Sequence, residues 1–164
     1  MTRLHRFRRA LVTPELIYGT IIVSAVIVVA EGDTTDAEVF GVALFTMLVF
    51  WAAHVFAVAV ATHGRRDDGQ EIGLREAFRA ALAHSYGLLY AALIPLTFLI
   101  LGATGLFEEW TAYYLSLFSG TVILAILGWL AFADRGSNWF VRILGALGTA
   151  FFGVLVILLK AIIH

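Results

Sequence analysis

The sequence predicts an all-α integral membrane bundle of five transmembrane helices, on three observations. Apolar residues make up 61% of the chain and charged residues 14%, against roughly 45–50% and about 25% in a typical soluble domain, and the mean hydropathy is +0.92. The apolar residues gather into five long stretches, approximately 14–31, 37–62, 84–102, 110–133 and 139–163. Crossing about 30 Å of hydrocarbon takes about 20 residues, with a range around that figure. The charges between the stretches are sorted by sign. Glu31, Asp33, Asp36 and Glu38 lie between the first and second, and Glu108 and Glu109 between the third and fourth, with no Lys or Arg in either connection. The remaining connections are rich in arginine. Cytoplasmic loops carry the excess of Lys and Arg, so the expected topology is N-terminus in and C-terminus out. Residues 1–164 then form a single transmembrane domain, expected in the cell inner (cytoplasmic) membrane.

Each element has a local reason. Arg3, Arg6, Arg8 and Arg9 surround Leu4, Phe7 and Leu11 at helical spacing, which predicts a short basic helix resting on anionic lipid headgroups. The first span opens at Thr13-Pro14-Glu15, a cap residue, a proline at the first helical position and an acid in the first turn. Val28-Val29-Ala30 ahead of an acidic loop imitates a signal-peptidase site, but the segment reads as a retained span. The second span returns the chain to a polar loop, His63 to Gln70, after which Ile72 to Ala83 set Leu74, Phe78, Ala81 and Leu82 opposite Arg75, Glu76 and Arg79. That pattern predicts an amphipathic cytoplasmic turn before the third span. Pro95 removes a backbone hydrogen bond inside that span and is expected to kink it. Trp110, Tyr113 and Tyr114 at the outer boundary and Trp139 at the inner one match the aromatic belts of membrane interfaces.

Helices in lipid are held by close approach at small residues. Ala53, Ala57 and Ala61 form one such stripe, Gly145, Thr149 and Gly153 another, and Gly87, Ala91 and Pro95 share a face of the third span. Internal packing is one use of these stripes, and a homo-oligomer contact through the fifth span is the other. The short likeness between Ala53-His54-Val55-Phe56 and Ala83-His84-Ser85-Tyr86 is too brief to argue a duplication.

Several chemistries are excluded or unsupported. The chain has no cysteine, which removes disulfides, thiolate metal sites and cysteine nucleophiles. It has no two-histidine zinc-hydrolase motif, no nucleophile elbow and no phosphate-cradling glycine loop. Ten of the eleven basic residues are arginine, a composition that suggests a bacterial, GC-rich source. An enzyme is not expected, nor is a nucleic-acid partner.

What stands out is a set of polar residues at one membrane depth. Ionisable groups within spans are costly and mark candidate sites. Glu15 lies in the first turn of the first span, with Tyr18 one turn deeper on the same face. His54 lies about 8 residues, roughly 12 Å, before the inner end of its span, and His84 opens the third. Glu15, Tyr18, His54 and His84 are therefore the expected substrate or proton pathway. His63, Glu76 and Asp134 could extend it, although solvated loop positions suit them equally. Glu15 by itself also fits a helix-dipole role, and His54 a structural interhelical hydrogen bond.

A histidine's ordinary pKa of about 6.5 lets it exchange protons near neutrality. The pattern thus favours an oligomeric proton- or cation-linked transporter or channel for a small solute. One alternative is a non-catalytic membrane subunit or scaffold that binds a protein or lipid. Another is a haem- or metal-binding redox protein using His54 and His84, with Glu15 as a further candidate metal ligand. The expected partners are membrane lipids and either further copies of the chain or another membrane subunit, and no cofactor is the first expectation.

Overall fold

The computed structural model describes residues 12–32, 34–64, 66–67, 70–134 and 136–163. Among these described residues five helices run in order: α1 (Pro14–Ala30), α2 (Asp36–Thr62), α3 (Leu74–Ala103), α4 (Glu109–Ala133) and α5 (Trp139–Ile163). Between α2 and α3 a short antiparallel ladder, β1 (Arg66–Asp67) with β2 (Gln70–Glu71), pairs Arg66 with Glu71 and Asp67 with Gln70. Four helices, α2 to α5, are long and apolar enough to cross a membrane. The fifth, α1, is apolar and 17 residues long. The basic segment carrying Arg3, Arg6, Arg8 and Arg9 lies outside the described residues.

Helix starts follow the chemistry of their first turns. The Thr13 hydroxyl accepts a hydrogen bond from the Leu16 amide at 3.2 Å, and Pro14 occupies the first helical turn. At α2, Thr35 and Glu38 form a reciprocal capping box, with the Thr35 amide donating to Glu38 Oε2 at 2.9 Å. Both motifs satisfy amides that have no partner within the helix.

The region before the third span differs from the expected separate turn. Residues 74 to 103 form one continuous helix of 30 residues with Pro95 inside it. Neither Gly nor Pro stands between Glu76 and Tyr86, so nothing in the sequence breaks the helix at the expected boundary. The face assignment changes as well. Ala77 and Ala81 are buried, whereas Leu74 is 60% and Phe78 45% exposed.

α1 is the hub of the bundle and touches each of the other four helices. Apart from Pro14 and Val29, all its side chains are buried or half-buried, as expected of a helix apolar on every side. Val23, Ile27 and Val28 of α1 join Val39, Ala43 and Met47 of α2, Leu88 and Leu99 of α3, and Leu117 of α4 in one core. α1 and α3 approach closely: a Cβ on Gly19 would lie 3.0 Å from Ala91 Cβ, and one on Gly87 2.8 Å from Thr13 Oγ1.

The glycine-rich stripe of α5 is taken up inside the chain. Gly128 of α4 packs on Gly145 and Thr149, Gly145 on Phe132, and Gly153 on Thr121. The Thr149 hydroxyl donates across the interface to the Leu124 carbonyl at 2.6 Å. That stripe therefore serves α4 rather than a second copy. Ala53, Ala57 and Ala61 of α2, by contrast, are all exposed.

Candidate functional site

The helices alternate in direction, so the ends of the bundle differ in charge. One end holds Arg75, Arg79 and Arg142 beside Glu15, Glu71, Glu76 and Asp134, and the other Glu31, Asp36, Glu38, Glu108 and Glu109 beside Lys160, with every described arginine at the first end. Contacts tie each end together, among them Glu15 with His84 at the arginine end and Glu31 with Lys160 at the acidic end.

At the arginine end the first two turns of α1 place Glu15 against α3 and Tyr18 against α2. His84 Nε2 lies 3.1 Å from Glu15 Oε1. The Tyr18 hydroxyl is 3.0 Å from His54 Nδ1 and 3.2 Å from Nε2, and the two rings are 5.8 Å apart between centroids. The four residues thus meet as two pairs, each with one member on α1. Gly87, one turn beyond His84 on α3, has no side chain to hold α3 away from Thr13 and Glu15, and this close approach allows the pairing.

The pairs differ in exposure. The Glu15 side chain is 6% exposed and the His84 side chain 62%. Glu15 Oε2 is buried without a hydrogen-bond partner. The buried carboxyl group thus has an imidazole partner that reaches solvent. The arrangement can pass a proton between water and a buried carboxyl group. The Tyr18–His54 pair lies half-buried and deeper along α1. Each histidine is engaged by its own α1 side chain, and among the described residues no group of three or more His, Cys, Asp or Glu side chains could hold a metal ion. His63 and Glu76 are exposed, and neither forms part of the two pairs.

A second cluster, at the acidic end, was not anticipated from the sequence. Glu31, Gly32, Thr34, Asp36, Val39, Glu109, Trp110 and Tyr113 line a cavity of about 230 Å³. Lys160 Nζ lies 2.6 Å from Glu31 Oε2, 4.1 Å from the Tyr113 ring centroid and 5.1 Å from that of Tyr114. One signal for it was present, because Lys160 is the only lysine in the chain and falls at the end whose loops hold no other cation. By sequence Asp36 is a loop charge, yet it is only 4% exposed.

Fold and sites together define an all-helical, membrane-type bundle with a polar cluster at each end. No family model, curated protein or solved structure matches the chain.

Proposed function

We propose that the chain is a five-span protein of the cell inner membrane, N-terminus inside, that moves protons or cations together with a small solute as an oligomer. The observation that carries this reading is the buried Glu15 carboxylate held 3.1 Å from an exposed His84 imidazole. An imidazole can accept and donate a proton at its ring nitrogens, which suits an exposed one to exchange protons with a buried acid, and ionisable groups within spans commonly mark ion pathways. Tyr18 and His54 continue the polar line inward. Beyond them the buried hydroxyls of Thr20 and Ser24 follow on α1, where Gly120 of α4 packs against both residues. The orientation rests on the arginine excess at the Glu15 end. The exposed Ala53, Ala57 and Ala61 stripe gives α2 a face suited to a neighbouring copy.

The test is a proton-flux assay in proteoliposomes under an imposed potassium diffusion potential, read with an entrapped pH dye. Wild type should exceed protein-free liposomes, Glu15→Gln should lose at least about tenfold of that excess, and His54→Ala should abolish it while the protein stays folded. A wild-type flux equal to that of empty liposomes overturns the reading. A His54→Ala protein that lowers only thermal stability assigns the Tyr18–His54 bond to structure alone.

A further inference from the structure

We propose that the cavity at the acidic end is a binding site for a small organic cation bearing a primary ammonium group, with Asp36 as its principal anionic contact. This site stands apart from the Glu15 cluster and does not depend on the transport reading. Three carboxylates line the cavity, Glu31, Asp36 and Glu109, and Lys160 is paired with Glu31. Asp36 carries the argument. It sits in the first turn of α2, is 4% exposed, and its Oδ2 is buried without a hydrogen-bond partner. The α3 backbone closes over it at Gly102, where an added Cβ would overlap the Asp36 carboxylate. A buried charge with an unsatisfied oxygen is expensive, and so are like charges lining one cavity, unless a cation joins them.

The cavity itself selects the kind of cation. A bare metal ion needs several oxygens converging at about 2.0–2.6 Å, and no group of three or more His, Cys, Asp or Glu among the described residues is placed to provide them. A volume of about 230 Å³ instead suits a small organic molecule. Its walls include the aromatic rings of Trp110 and Tyr113 beside the carboxylates, a combination that attracts ammonium groups through both charge and ring quadrupole. The chain already demonstrates this chemistry, since the Lys160 ammonium lies over Tyr113 while paired with Glu31. Lys160 holds one side of the cluster, and Asp36 with Glu109 is left to receive a second ammonium from solution.

Equilibrium dialysis of the purified protein in mild detergent against radiolabelled methylammonium, at constant ionic strength set with sodium chloride, tests the proposal. Saturable binding near one equivalent is expected, weakened at least about tenfold in Asp36→Asn and several-fold in Glu109→Gln. Glu109 is exposed, so its variant stays informative even if Asp36→Asn fails to fold. Lys160→Met removes the resident cation and should tighten binding, whereas His84→Gln at the opposite end should leave it unchanged. Absence of saturable binding, equal binding in Glu109→Gln, or displacement by sodium as effective as by unlabelled methylammonium overturns the proposal. Because dialysis reads binding alone, a failed flux assay with intact binding would count against the transport reading only.

Discussion

At the scale of single residues, the two histidines show how much depth alone can reveal. Glu15, Tyr18, His54 and His84 were legible because helical rise places all of them in the same half of the bundle, and three segments rarely put ionisable groups at one depth without contact. Which residue would face which was not legible, because it depends on the rotation of α1 against α2 and α3. That rotation is set by Gly19 and Gly87, where the backbones close together. Glycine contacts of this kind make a sharp prediction at the other end. Gly102→Ala drives a methyl group into Asp36 and Ala112, and overpacking of this sort costs about 1–3 kcal/mol. Gly41→Ala in α2 meets nothing within 4 Å and should be neutral or stabilising by up to about 1 kcal/mol, because alanine restricts the unfolded backbone and favours the helix. Thermal unfolding of the two variants in the same detergent should therefore place Gly102→Ala below wild type and Gly41→Ala at or above it.

At the scale of elements, starts were easier to foresee than packing. Thr13-Pro14-Glu15 carries a full N-terminal signal, and α1 begins at Pro14. α3 begins at Leu74, ahead of the span expected from His84, because the charges at Arg75, Glu76 and Arg79 end the apolar stretch without breaking the helix. The hub position of α1 was hidden for a different reason. A helix apolar on all sides presents no preferred face, so sequence alone does not distinguish a central helix from a lipid-facing one. The α4–α5 pair is the converse case, since its small-residue stripe named the contact face but not the partner. There the Thr149 hydroxyl bonds the Leu124 carbonyl at 2.6 Å. Polar interhelical bonds in membranes average about 0.6 kcal/mol and reach about 1.7. Thr149→Val keeps the shape and removes the donor, and should lower stability within that range. Denaturation in mixed micelles would measure it, and a loss well above that range would mean that the variant disturbs the Gly128–Gly145 contact as well.

At the scale of the whole molecule, length sets α1 apart from the four helices long and apolar enough to cross a membrane. Its 17 residues span about 25 Å at 1.5 Å per residue, short of about 30 Å of hydrocarbon. A helix facing lipid would meet that mismatch with tilt or local thinning. α1 instead packs against all four longer helices and keeps most of its side chains buried or half-buried, so much of its surface meets protein rather than lipid and the mismatch weighs less. Its ends also reach both polar layers, through the Glu15–His84 pair at one end and the Glu31–Lys160 pair at the other. A crossing α1 gives an odd number of spans, with His63 on the inner side and Leu106 on the outer. Because the chain contains no cysteine, single substitutions can be labelled without background. Leu106, 72% exposed, should react as Leu106→Cys with a membrane-impermeant maleimide added to intact cells, and His63→Cys only after permeabilisation. A protease-sensitive tag placed before Met1 should be protected in intact cells along with His63→Cys, since both would lie inside. A tag cut from outside while His63→Cys stays protected would break the odd-span topology, and labelling of His63→Cys in place of Leu106→Cys would invert the orientation that the arginines assign.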